Sequence, residues 1–113
     1  MASMIWHSST KDFVEVEVES ITIDTDTRFS SLSPTFVKID VEGAEGKVIK
    51  GMQGLIRRCN PVIFIECSKA GRNLVWEIMK KLNYSCFLAL DLSNEITTFD
   101  KYIHNDFMWL PSD

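Results

Sequence analysis

Val37-Lys38-Ile39-Asp40-Val41-Glu42-Gly43-Ala44-Glu45 carries two periodicities in one short run. Val37, Ile39 and Val41 alternate with Lys38, Asp40 and Glu42, so the two sets face opposite sides of a strand. Gly43 interrupts the alternation. From Ala44 onward the apolar spacing becomes helical, with Ala44, Val48, Ile49, Met52, Leu55 and Ile56 on one stripe. Asn60-Pro61 stops that helix. In open α/β sheets, ligands bind beyond the carboxyl ends of the strands. Asp40 and Glu42 stand at that end, and Gly43 permits a tight turn or a close ligand approach there. The competing structural reading has Asp40 satisfying loop amides and Glu42 complementing the helix dipole.

Downstream, residues 62–67 form a continuous apolar run between Pro61 and Ser68, the pattern of a strand buried on both faces. Glu66 closes that run, so two neighbouring parallel strands would deliver carboxylates to one edge. A second helix is predicted over residues 72–82, with Leu74, Val75, Ile78, Met79 and Leu82 on one side. Strands follow over residues 84–90, 96–99 and 107–110. Upstream, residues 13–19 alternate strictly and read as a strand with one wet face. Residues 25–35 read as a loop, and residues 1–12 as a loose leader. The order predicts an α/β domain over residues 13–113 with a mainly parallel sheet, ending in a hairpin or an antiparallel edge strand. Lys38 is awkward in a central strand, because an ammonium buried without a partner is costly. Asp24, Asp40 and Glu66 are its candidate partners.

Composition excludes several function classes. The chain has 113 residues, 45% hydrophobic and 25% charged, with a net charge of −4. Nucleic-acid binding needs a basic stripe, whereas the doublets Arg57-Arg58 and Lys80-Lys81 each fall at a predicted helix end, where cations complement the dipole. Cys59, Cys67 and Cys86 have no C-x-x-C spacing and read as reduced buried thiols. His7 and His104 have no partner at metal-ligand spacing. The glycines around Gly43 and Gly46 form no phosphate loop, and Asp40, Glu42 and Glu45 would repel an anion. Trp6, Trp76 and Trp109 read as core or interface. The leader lacks a basic start followed by an apolar run, so no signal peptide is expected. No apolar run nears the roughly 20 residues that span a bilayer. A cytoplasmic location is the default expectation.

The block from Lys38 to Glu45 closely resembles the C-terminal region of the FkbM family of methyltransferases. Val48-Ile49 before Gly51, Asn60-Pro61, the run ending in Glu66, and Thr22-Ile23-Asp24 upstream also match. Asn83-Tyr84 falls where the family commonly has Gly-Tyr, and the closing residues 107–111 resemble its final strand. The resemblance covers about residues 14–111. It implies a partial class I methyltransferase, Rossmann-like sheet: strands four to seven with flanking helices and an antiparallel strand near the C-terminus. It also implies S-adenosylmethionine as methyl donor and O-methylation of a small-molecule or sugar hydroxyl. Asp40 and Glu42 would be the catalytic acids beside the reactive methyl, with Gly43 and Glu66 contacting substrate. Asp24 would be a minor cofactor contact, and no metal is implied. The family's Gly-rich turn and ribose-binding acid have no counterpart upstream of Phe13, so the expectation is a chain without the main cofactor-binding half. Gly46 and Met52 depart from the family's helix pattern.

Strand 36–41 would then expose an apolar edge of the kind that recruits partners. Either residues 13–19 fold over that edge, or a complementing chain or a second copy covers it. Two other functions compete. A non-catalytic remnant would use the half-sheet as an interaction module. A metal-dependent nuclease would use the D-x-E of Asp40 and Glu42, although antiparallel strands follow that motif in proofreading exonucleases and a helix is predicted here.

Overall fold

The computed structural model of the chain describes residues 2–6, 14–98 and 106–112. In order these form β1 (Ala2–Trp6), β2 (Val16–Ser20), 3-10 turns at Ile23–Thr25 and Thr27–Phe29, and β3 (Phe36–Ile39). Next come α1 (Glu45–Lys50), α2 (Gln53–Cys59), β4 (Val62–Glu66) and α3 (Lys69–Lys81). The chain closes with β5 (Tyr84–Leu88), β6 (Asp91–Ile96) and β7 (Asp106–Pro111). His7, Phe13, Phe99 and His104 lie outside the described residues.

β3, β4, β7, β5 and β6 make one sheet in that spatial order. β3 and β4 are parallel, and every other neighbouring pair is antiparallel. The expectation of a mainly parallel sheet is therefore corrected. β3, β4 and β5 do run in one direction, because β7 opposes both β4 and β5. The expected hairpin with an antiparallel edge strand is present as β5 and β6, whereas the last strand, β7, lies inside the sheet. Phe107 and Trp109 of β7 are fully buried, and so apolar a strand gains more between two neighbours than beside one.

Alternation within each strand divides the sheet into two faces. Ile39, Ile63, Ile65, Phe107, Trp109, Tyr84, Cys86 and Ile96 are the buried residues of this sheet, and all lie on one face. They join Ile49, Met52 and Ile56 from α1 and α2, and Val75, Ile78 and Met79 from α3, in a single core. Trp76 packs edge-on against Trp109, with ring centroids 5.5 Å apart. The Tyr84 hydroxyl donates to the Pro61 carbonyl at 2.7 Å, fastening β5 beneath the start of β4. On the opposite face Val62 and Phe64 are only half-buried, so the expectation that this strand is buried on both faces is corrected too.

The helix predicted from Ala44 to Asn60 is two helices. Its apolar stripe survives, since Ile49, Met52, Leu55 and Ile56 are all buried. The break comes from a distant residue. The Asp24 carboxylate accepts the N–H groups of Gly54 (2.8 Å) and Leu55 (3.0 Å), and the Asp24 N–H donates to the Gly51 carbonyl at 2.9 Å. Asp24 thus caps the first turn of α2, a job normally done by the residue just before the helix. The predicted stop holds: Asn60 takes a left-handed conformation (φ 48°) and its N–H closes on Ile56, the usual helix ending before a proline.

Three further differences concern extent. Ala2–Trp6, expected within a loose leader, pairs antiparallel with β2. β2 is therefore not laid over the edge of β3, whose partner among the described strands is β4 alone. β6 begins at Asp91 rather than residue 96, and α3 starts at Lys69 rather than residue 72.

Asp24→Ala frees the first amides of α2 and is expected to destabilise the fold by about 1–2 kcal/mol, measured as a lowered urea midpoint at unchanged m-value.

Candidate active site

Beyond the end of β3 the chain reverses in a four-residue turn, with the Ala44 N–H donating to the Val41 carbonyl at 3.4 Å. Both central residues have positive φ, 38° at Glu42 and 100° at Gly43. A Cβ on Gly43 would meet nothing within 4 Å, so glycine is needed there for its backbone angle rather than for space. Glu42 holds a left-handed conformation that costs a side-chain-bearing residue about 1–2 kcal/mol, and such strain clusters at functional sites.

This turn aims the Gly43 N–H at both oxygens of Glu45, at 3.0 and 3.1 Å. Glu45 is fully buried. Its carboxylate also accepts the N–H of Ser68, at 3.3 Å, from the turn between β4 and α3. Gly71 of α3 makes room for it, since a Cβ there would stand 2.7 Å from the Glu45 Oε2. Burial by itself raises the Glu45 carboxyl. The N–H donors of Gly43, Glu45 itself and Ser68 together outweigh burial and hold it below the usual carboxylate range. Sequence reading assigned Glu45 no role, although the signal was present: it falls on the buried stripe of Ile49, Met52 and Ile56 at helical spacing.

Asp40, Glu42, Glu45, Glu66 and Ser68 line a cleft of about 310 Å³ at the carboxyl ends of β3 and β4. The expected convergence of Asp40, Glu42 and Glu66 is therefore present. The sheet register extends it. Lys38 stands beside Phe64, so Asp40 follows beside Glu66, and Glu66 pairs with Asp106 of β7. Asp106 escaped the sequence reading, because only the insertion of β7 next to β4 brings it here. The charge of Asp40 raises the Glu66 carboxyl above its ordinary value, with desolvation, Asp106, a hydrogen bond to Asp40, and Glu42 adding to the effect. Burial pushes the neighbouring Cys67 thiol up to about 12, which removes it as a nucleophile at neutral pH. Arg72, also buried, donates to the Cys67 carbonyl at 3.4 Å and lies over the Phe107 ring.

The remaining candidates lie elsewhere. Asp24 is at the start of α2, both its oxygens taken by helix amides, and does not line the cleft. Lys38 is exposed, its Nζ 5.9 Å from the Phe64 ring centroid. The ion pairs among the described residues, Arg28–Asp26 and Lys81–Glu77, do not involve it. No group of three or more His, Cys, Asp or Glu among the described residues is arranged to hold a metal ion. No described helix is long and apolar enough to cross a membrane.

The profile of the methyltransferase FkbM domain matches residues 1–103. The chain belongs to the FkbM methyltransferase family. No curated protein and no solved structure is significantly similar to it. In an FkbM methyltransferase the methyl donor implied is S-adenosylmethionine. The cleft suits only one side of that group. Its acids complement a sulfonium and can accept hydrogen bonds from hydroxyls. Among the described residues there is no Gly-rich strand-to-helix turn to seat the nucleoside, and the oxygens of Asp24 are already occupied.

Glu45→Ala leaves the Gly43 and Ser68 amides without their acceptor and is expected to cost about 3 kcal/mol, read from urea unfolding. Glu66 behaves oppositely. Its folded pKa lies above the unfolded one, so the folded state loses stability as pH rises through that interval. Glu66→Gln should therefore melt higher than wild type near neutral pH. That gain should vanish once pH falls below the ordinary carboxylate range, a comparison that thermal melts across pH make directly.

Proposed function

We propose that this FkbM-family chain forms the acceptor-facing part of an S-adenosylmethionine-dependent O-methyltransferase acting on a hydroxyl of a small molecule or sugar. The observation that carries the reading is the cleft lined by Asp40, just past the end of β3, Glu42 and Glu66, with Asp106 of β7 paired beside Glu66. Like charges side by side destabilise a sheet, and perturbed carboxylates in a cleft mark functional sites. The antiparallel β7 set among strands of one direction accords with strands four to seven of the class I methyltransferase sheet.

In this reading Asp40 and Glu42 are the catalytic acids. Asp40 accepts the hydrogen bond of the acceptor hydroxyl and takes its proton as the oxygen is alkylated. Glu42, presented on the strained turn, fixes a second hydroxyl. Glu66 holds a proton more readily than an ordinary glutamate and can donate to the acceptor as well as accept from it. The Gly43 turn sets the wall of the cleft. The donor supplies an activated methyl group, and the work of these residues is orientation of the acceptor oxygen. A separate segment seats the donor.

A labelled-methyl transfer assay against polyhydroxylated acceptors, run with that segment present, tests the assignment. Asp40→Asn is expected to lower the rate about 100-fold or more with no loss of melting temperature. Full activity in that variant would contradict it. The same assay separates this reading from a non-catalytic interaction module, which one feature favours: the open edge of β3.

A further inference from the structure

Among the described strands, the five-strand sheet ends at β3 on one side and β6 on the other. The charged residues of β6 are both acidic, Asp91 and Glu95, so a second copy laid antiparallel against it sets like charges near one another. The edge at β3 is different.

The Thr35 carbonyl accepts the Val62 N–H at 2.9 Å, so the odd-numbered residues of this strand turn their amides toward β4. Alternation turns the amides of Phe36, Lys38 and Asp40 outward, to the open edge. Two identical edges meeting antiparallel can exchange hydrogen bonds only in registers that set even-numbered residues opposite even-numbered ones. Centring on Lys38 opposes Lys38 with Lys38, and centring on Asp40 opposes Asp40 with Asp40. Centring on Ile39 sets Lys38 of each copy against Asp40 of the other, with Ile39 beside Ile39 and Val37 beside Val41. The run Val37-Lys38-Ile39-Asp40-Val41 is thus its own complement in charge and in apolar pattern.

We infer that a second copy of this chain pairs with β3 in this register, across a two-fold axis at Ile39, making one continuous sheet. The pairing extends β3 to Val41, just before the turn, and covers Val41, which is 41% exposed in the single chain. Lys38 and Asp40 lie on the same exposed face as Glu66 and Asp106. Each copy therefore brings a cation to the other's row of acids. A segment that seats the methyl donor along this edge would have to displace the second copy.

Sedimentation velocity at tens of micromolar tests the pairing separately from methyl transfer, which mass does not read. Wild type is expected to sediment as a dimer, weakened by added salt. Lys38→Asp alone, or Asp40→Lys alone, opposes like charges twice and should weaken the dimer roughly 10- to 100-fold. Lys38→Asp combined with Asp40→Lys restores opposite charges and should restore the dimer, which also shows that the single variants did not lose it through misfolding. A monomeric wild type, a dimer indifferent to both reversals, or a double variant that stays monomeric would overturn the inference.

Discussion

The buried carboxylate of Glu45 joins two turns that are distant in sequence, accepting the N–H of Gly43 after β3 and of Ser68 after β4. A carboxylate without solvent needs such donors, since an unpaired buried charge is among the costliest groups in a fold. Meeting that need fixes the geometry of everything around it. Glu42 and Gly43 must take positive φ to deliver their amide, and Gly71 must lack a side chain for α3 to pass. The ends of the parallel strands are held level as a result. Asp40 and Glu66 therefore emerge side by side, and the cleft between them is a consequence of how Glu45 is satisfied.

The acids above that carboxylate are arranged at a cost. Asp40, just past β3, stands beside Glu66 of β4, which pairs with Asp106 of β7, and their mutual repulsion raises the Glu66 carboxyl. A sheet edge with no task would scatter these charges. In the function proposed here, that concentration of acids receives hydroxyl protons and faces positive charge. The same row makes the open edge of β3 selective, since a partner that brings Lys38 relieves what a partner bringing another carboxylate would worsen.

Features set by near neighbours in the chain were legible in the sequence. The alternation around Lys38 became β3, Asn60-Pro61 ended a helix, and Arg57-Arg58 and Lys80-Lys81 sit in last turns as the dipole argument required. The adjacency of Asp40 and Glu66 was also readable, because two parallel strands deliver their ends together. What escaped depends on contacts between remote segments. Asp24 interrupts a continuous apolar stripe from about 30 residues away, and no local propensity announces this. β7 inserts between β4 and β5, which brings Asp106 beside Glu66. β1 pairs with β2, the strand expected to shelter β3. Glu45 was legible in part: its place on the apolar stripe marks it for burial, but the amides that satisfy it come from turns that only the fold brings together.

A pH titration followed by amide proton shifts tests the Glu45 linkage most directly. The Gly43 and Ser68 amides should move together, with one common midpoint below the usual carboxylate range, as the single group they share takes up its proton. Separate midpoints for the two amides, or a common one at the value of an ordinary exposed glutamate, would contradict the account.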